Sequence, residues 1–200
     1  ATGQKVCRFS SPFVQLAIYN ALTHDLVGDW LPILALHPLD DLADVFEGAT
    51  LDVPALLRRY RDYLGRLRAK GLNPWKGQPR RREDLHLTEA VGHFHLYSWL
   101  QNALGRRCVV SPEFPTGNGK VDLHLRCEGK AGIVEIKSFK DTYEARLAVK
   151  QAARYGAELG LGEVTLVLFV PTDEEEVLER LSGEEVLEGT RVHVVALGWT

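Results

Sequence analysis

Residues 119–139 have the sequence GKVDLHLRCEGKAGIVEIKSF, which predicts two strands joined by a tight turn. Polar and apolar side chains alternate over residues 121–127, as expected for a half-buried strand, and residues 133–139 predict a second strand. The glycine-rich segment between them favours a turn. We therefore expect a hairpin that closes around Glu128 and Gly129.

The register of this hairpin sets three charged side chains beside each other. Asp122 is expected opposite Glu135, and Lys137 follows two residues later on the same face of the sheet. The opposite, core-facing side is then formed by Val121, Leu123, Leu125, Val134 and Ile136.

Two carboxylates on one sheet face repel each other unless a cation lies between them, so such a pair either has a raised pKa or binds a metal. Oxygen ligands favour Mg²⁺ or Mn²⁺, which keep bound waters and accept a substrate phosphate. Lys137 beside such an ion can orient the attacking water and contact the phosphate. The alternative at this point is a cross-strand salt bridge on an ordinary exposed face.

The chain that follows the hairpin predicts a helix and then a buried strand. Residues 146–159 have helical spacing, with Gln151 and Tyr155 one turn apart on the same face. Residues 164–170 are continuously apolar, which is typical of a strand covered on both faces. The order of hairpin, helix and buried strand predicts a crossover connection and a mixed sheet.

Asp122, the run Glu135-Ile136-Lys137 and the pair Gln151-x-x-x-Tyr155 resemble, in order and spacing, the PD-(D/E)xK nuclease superfamily. The resemblance is to the branch with a Q-x-x-x-Y helix motif and covers residues 85–170, although Val121 stands where the family usually has proline. It implies an α/β fold like that of restriction endonucleases, with a mixed β-sheet flanked by helices and, here, an N-terminal helical segment.

The same resemblance implies the roles of individual residues. Glu89 matches a helical glutamate that precedes the first strand in the family, and Glu113 is similar to an acidic residue that some members carry just before the aspartate. The catalytic residues implied are Glu89, Asp122, Glu135, Lys137, Gln151 and Tyr155. The implied ligands of Mg²⁺ (or Mn²⁺) are Asp122, Glu135, the backbone carbonyl of Ile136, and Glu113.

Composition and hydropathy predict two parts in a chain of 200 residues. Residues 1–80 are expected to form a helical N-terminal segment and linker, and residues 81–200 the nuclease-like domain. The predicted elements are helices at 10–27, 40–46, 54–69 and 84–104, a linker at 71–82, and strands at 109–114 and 191–197.

The N-terminal part resembles the segment that joins an AAA-type ATPase module to a nuclease domain. An ATPase domain in cis is therefore an expected partner, supplied by sequence outside this chain, since the run from Gly117 to Lys120 lacks the spacing of a phosphate-binding loop. Methionine is absent, including at position 1, which also predicts a piece of a longer protein.

The net charge of the chain is −3, but its acidic and basic residues are unevenly distributed along the sequence. Acidic residues dominate positions 173–188, and the simplest interpretation is a solvated terminal helix. Basic residues dominate positions 58–82, as either a phosphate-contacting surface or a solvated helix face and linker. These basic residues are Arg58, Arg59, Arg61, Arg66, Arg68, Lys70, Lys76, Arg80, Arg81 and Arg82.

Cysteine usage and the lack of a signal peptide predict a cytoplasmic protein. Cys7, Cys108 and Cys127 are widely spaced, which favours buried free thiols over disulfides or a zinc site. His93 and His95 lie two positions apart on a predicted helix, a spacing that does not favour zinc. No apolar run approaches the length of a membrane span, so no membrane partner is expected.

The sequence thus predicts a Mg²⁺-dependent nuclease that hydrolyses phosphodiester bonds in nucleic acid, with DNA as the first candidate substrate. The alternative is a non-catalytic nucleic-acid-binding or regulatory domain of a larger ATPase, and a third possibility is a structural partner domain. The choices between DNA and RNA and between endo- and exonuclease action stay open at this point, as does the oligomeric state.

Overall fold

The structure is a computed structural model that describes residues 12–27, 41–116 and 119–200. Its elements are α1 (Pro12–Val27), α2 (Ala43–Glu47), α3 (Val53–Ala69), α4 (Glu89–Leu104), a 3₁₀ turn (Gly105–Arg107), β1 (Cys108–Pro115), β2 (Lys120–Cys127), β3 (Lys130–Ser138), α5 (Thr142–Leu159), β4 (Glu163–Val170), α6 (Glu175–Leu181), β5 (Gly183–Leu187) and β6 (Thr190–Gly198).

A six-stranded mixed sheet runs through the molecule in the order β1-β2-β3-β4-β6-β5. The first three strands are antiparallel neighbours, β3 pairs in parallel with β4, and β4 pairs in parallel with β6. Helix α5 makes the crossover between β3 and β4. This α/β architecture, with helices flanking the sheet and a helical N-terminal segment, confirms the predicted fold class.

The hairpin has the predicted register. Pairs such as Leu123 with Val134 and Cys127 with Lys130 leave Glu128 and Gly129 as a two-residue turn. Both turn residues have positive φ, 50° and 86°, which is the geometry that matches the twist of the flanking strands.

Each face of the sheet carries its own hydrophobic cluster. Helices α3 and α4 cover one face, where Tyr60 and Trp99 pack in the same cluster as Ile136. Helix α5 covers the other face with Ala148, Ala152 and neighbouring small residues. Strand β4 alternates between the two clusters, so it is buried on both sides as its sequence predicts. Residues on both sides of the predicted boundary at position 80 share the first cluster, and the domain division itself stays a prediction.

Several predicted elements need correction. The predicted helix at 84–104 begins only at Glu89, because residues 82–84 form a turn, Leu85 has a φ of 59°, and Leu87 forms a bridge with Arg80. The acidic stretch at 173–188 is not a single helix, since α6 ends before Gly183 and the residues that follow form the edge strand β5. The predicted linker contributes Trp75 to the core, where its ring packs 4.7 Å from that of His95. Residues 10 and 11 of the predicted helix at 10–27 lie outside the described residues.

The expectation of free thiols is wrong for two of the cysteines. Cys108 and Cys127 are joined by a disulfide between the neighbouring strands β1 and β2. The two cysteines are far apart in sequence, which favoured free thiols, but the antiparallel pairing of β1 and β2 places them directly opposite each other. Cys7 lies outside the described residues. Among the helices in the described ranges, none combines the length and the apolar character that crossing a bilayer requires.

Helix α4 approaches the sheet most closely at Gly92. A Cβ atom at this position would lie 2.4 Å from Cε2 of Phe169, in the core strand β4. Only a residue without a side chain allows this distance, and it brings the start of α4 over the ends of β2 and β3.

We expect Gly92→Ala to lower the free energy of unfolding by ~1–3 kcal/mol, because the added methyl group overpacks the core against the Phe169 ring. The matched control is Gly65→Ala in α3, where a Cβ meets no atom within 4 Å. That change should instead stabilise the protein by up to ~1 kcal/mol through helix propensity. Urea unfolding of both variants measures the difference, and equal effects would contradict the close approach.

Candidate functional site

Lys137 lies at the centre of a group of carboxylates. Its Nζ atom is 2.8 Å from Oε1 of Glu135, 3.5 Å from Oε1 of Glu89 and 4.0 Å from Oδ2 of Asp122. These are the four charged residues that the resemblance implied for the catalytic centre, and the fold brings them together from β2, β3 and the start of α4.

The segment before α4 is held against the end of β3, and this fixes Glu89 relative to Lys137. Arg81 donates to the carboxylate of Asp84 at 2.6 and 3.0 Å and to the backbone carbonyls of Ser138 and Phe139 at 3.1 and 2.9 Å. The guanidinium group therefore acts as a clamp between two segments distant in sequence. The same contacts explain why residues 84–88 are not helical.

Ser138 adds a second link between these segments. Its hydroxyl donates to the carbonyl oxygen of Leu87 at 2.6 Å, and both residues are buried. Thr88 then serves as the N-cap of α4, so that Glu89 is the first residue of the helix. The predicted helical glutamate is thus positioned from the end of the strand that carries Lys137.

Asp122 lies where the two strands of the hairpin separate. The backbone pairs between β2 and β3 end at Leu123 and Val134, and Oδ2 of Asp122 accepts the backbone N–H of Ile136 at 2.7 Å in place of a ladder bond. The strict alternation of faces ends here as well. Val121 belongs to the cluster under α5, not to the cluster that contains Leu123. Its predicted place on the same face as Leu123 is therefore wrong.

Two further ligand atoms lie close to Asp122. Single ligand atoms of His93, Glu113 and Asp122 all lie within 4.8 Å of one another. Glu113 has a φ of 52°, a conformation that non-glycine residues rarely adopt. Such strained backbone geometry is concentrated at functional sites in proteins. Glu113 also accepts a hydrogen bond from Lys120 at 3.3 Å.

The tautomer of His93 is fixed by its surroundings. Nε2 lies 3.0 Å from the backbone carbonyl oxygen of Asp122, and a carbonyl only accepts, so Nε2 carries the proton. Burial lowers the pKa of His93 to about 4, which keeps the ring neutral at physiological pH. Nδ1 then keeps its lone pair. A metal-binding histidine typically has this arrangement, with its other ring nitrogen donating to a carbonyl.

Burial controls the charges of the carboxylates. It raises the pKa of Asp122 to about 6, although Lys137 opposes the shift. It raises the pKa of Glu135 to about 7, with Asp122 adding to the shift and Lys137 again opposing it. Burial alone would lower the pKa of Lys137, but Glu135, Asp122 and Glu89 outweigh it and hold the pKa above its ordinary value. The lysine is therefore an ammonium group at neutral pH.

The donor set fits a divalent cation. Oε1 of Glu135 accepts from Lys137, whereas Oε2 of the same carboxylate is buried and has no hydrogen-bond partner among the residues that the structure describes. A buried, unpaired carboxylate oxygen costs free energy that a bound cation would recover. The ligand atoms at hand are carboxylate oxygens and one imidazole nitrogen, a set suited to Mn²⁺ or Mg²⁺.

The Gln151 and Tyr155 side chains are joined to each other. Nε2 of Gln151 donates to the hydroxyl of Tyr155 at 3.0 Å, and Tyr155 is buried. A Cβ atom on Gly119 would lie 2.9 Å from that hydroxyl, so Tyr155 packs against the turn that precedes Asp122. Gln151 lines a pocket together with Lys137. Direct contact of Tyr155 with nucleic acid stays a prediction.

Much of the basic run at 58–82 is engaged in ion pairs. Arg59 pairs with Asp44, Arg61 with Glu175 and Arg68 with Asp173, at 2.7, 2.8 and 3.5 Å. The acidic stretch near the C-terminus thus neutralises part of the surface that the sequence suggested for phosphate contacts. Of the two interpretations of the basic run, the structure favours the solvated helix face for α3.

His93 is the residue of this site that the sequence analysis set aside. The argument considered only its spacing from His95, whose Nδ1 instead lies 2.6 Å from the hydroxyl of Tyr60 in the core. The useful signal was the separation of four residues between Glu89 and His93, which places both on one helix face above the hairpin. Neither the models of known protein families nor the curated proteins give a match to this chain.

We expect the stability of Glu135→Gln, relative to wild type and without metal, to increase as pH rises. The folded-state pKa of Glu135 is raised to about 7, so its ionisation opposes folding as pH rises from the ordinary carboxyl range through 7, and glutamine avoids this cost. The free energy of unfolding of the variant minus that of wild type should be on the order of 1–3 kcal/mol higher at pH 8.5 than at pH 5.5.

The measurement is urea unfolding in EDTA at both pH values. Glu176→Gln, at an exposed position in α6, is the matched control and should show no such change between the two pH values. A constant difference between Glu135→Gln and wild type would contradict the raised pKa.

Proposed function

We propose that this protein is a divalent-metal-dependent nuclease that hydrolyses phosphodiester bonds in nucleic acid, with DNA as the first substrate to test. The observation that supports this most is the ammonium group of Lys137 among three carboxylates, one of which has a buried oxygen without a partner. A plain salt bridge would not require an unpaired oxygen beside it.

The metal would be held by Asp122 and Glu135, with Glu113, His93 and the backbone carbonyl of Ile136 as further ligands. A bound Mg²⁺ or Mn²⁺ supplies a Lewis acid for the phosphate oxygens and lowers the pKa of a coordinated water. The proximity of His93, Glu113 and Asp122 supports this assignment. The fit of the donor set to these ions is its chemical basis.

The protein's own groups would position the water and stabilise charge. Lys137, kept protonated by its carboxylate neighbours, can donate a hydrogen bond to the attacking water or to the negative charge that develops on the phosphate. Glu89 lies close enough to orient the ammonium group. Gln151, from its position in the adjoining pocket, can align the substrate backbone.

Two other parts of the proposal concern context. We propose a cytoplasmic location because the proposed substrate is nucleic acid. The disulfide between Cys108 and Cys127 is an argument against this location, because such bonds are rare in reducing compartments. An ATPase domain in cis remains a proposal that rests on the sequence resemblance. The non-catalytic alternative predicts nucleic-acid binding without cleavage.

We expect plasmid or oligonucleotide cleavage in Mn²⁺ or Mg²⁺ that falls at least ~100-fold in Asp122→Ala and in Lys137→Ala, since each removes a group required at the reacting phosphate. Lys150→Ala, at an exposed position in α5, is the control for loss of a lysine and should retain activity. Cleavage equal in wild type and both site variants, across single-stranded and duplex substrates, would overturn the proposal.

We expect His93→Gln to weaken Mn²⁺ binding about tenfold and Mg²⁺ binding less, because imidazole is a poorer ligand for the harder ion. Isothermal titration calorimetry measures both. His124→Gln is the matched control, since the ring of His124 stacks 4.2 Å from that of Phe114 instead of joining the ligand group. Equal losses for the two ions, or an effect as large in the control, would contradict a ligand role for His93.

A further inference from the structure

A cavity of about 380 Å³ opens beside Lys137. It lies between the end of β3, the first half of α5 and the segment that precedes α4, with Leu168 of the parallel strand β4 among its lining residues. Ligands of α/β proteins commonly bind beyond the carboxyl ends of parallel strands, and the cavity is at that position for β3.

Small residues on α5 create the space. Ala145 and Ala148 face the cavity where larger side chains would fill it, and Leu147 adds an apolar wall. Phe139, directly after β3, adds an aromatic residue to the lining. This part of the cavity can bind a flat, weakly polar group such as a nucleobase.

The polar end of the cavity carries two lysines and two carboxylates, those of Glu89 and Glu144. Lys137 belongs to the carboxylate cluster, and Lys140 is exposed at the rim. Arg81 also lines the cavity, but its donors are directed to Asp84 and to the carbonyls of Ser138 and Phe139. Lys140, which is exposed, can therefore reach an anionic ligand, whereas Arg81 only lines the cavity.

We propose that this cavity binds one nucleotide of the substrate, with its phosphate at the Lys137–Lys140 end and its base between Phe139 and Leu147. The inference rests on the proposed function for its biological meaning, because the cavity adjoins the cluster assigned to phosphate hydrolysis. Its binding chemistry is independent of that function, since none of the cavity contacts requires a metal ion.

The test is titration of the full chain, in EDTA, with deoxyadenosine 5′-monophosphate, monitored by amide chemical shifts. Lys140→Glu should weaken binding at least fivefold, whereas Lys150→Glu, the same change at an exposed position on α5, should leave it within about twofold. Leu147→Trp should weaken binding by a similar factor through occupying the space. Leu72→Trp is its control, because Leu72 and Leu147 are 41% and 40% exposed.

The possible outcomes distinguish binding of the base, binding of the phosphate and cleavage activity. Inorganic phosphate should compete at least tenfold less well than the nucleotide, and equal competition would overturn the base contact. Shifts absent from residues 139–148, or equal losses in Lys140→Glu and Lys150→Glu, would overturn the site. The titration contains no metal ion and measures no cleavage, so a failure of the cleavage test leaves this result interpretable.

Discussion

The arrangement of the site depends on the partial burial of three carboxylates around one ammonium group. Lys137 compensates Glu135, Asp122 and Glu89, yet one positive charge cannot balance three negative charges in a region of low water content. Burial is the largest cause of the raised pKa values of the two strand carboxyls, and neighbouring carboxylates add to it. The fold therefore carries a local deficit of positive charge, and this deficit gives the cluster its capacity to attract a cation.

The remainder of the fold holds this unfavourable cluster in place. Gly92 lets α4 lie directly on Phe169, Arg81 ties the start of that helix to the end of β3, and Tyr155 supports the turn before Asp122 from the other face of the sheet. Each of these contacts joins elements distant in sequence. Functional groups that repel each other need such support, because their own interactions would separate them.

Three features could be predicted from the sequence because each leaves a pattern of polar and apolar residues in it. They are the hairpin, the crossover helix and the strand that is buried on both faces. The convergence of Asp122, Glu135 and Lys137 followed from register alone. Three features left no such pattern. The first is the non-helical segment before α4, which the Arg81 side chain holds in place. The others are the edge strand β5, which is recognised through its pairing with β6, and the role of His93, which depends on where a helix crosses a sheet.

The bridge between Cys108 and Cys127 has a bearing on the opposite end of the same strand pair. The pairing that places these cysteines face to face continues through Pro112 with Leu123 to Phe114 with Val121, and so sets Glu113 beside Asp122. A slip of one position would turn every side chain of β1 to the other face. The disulfide bond prevents that slip. It therefore keeps Glu113 and Asp122 aligned at the other end of the β1–β2 pair.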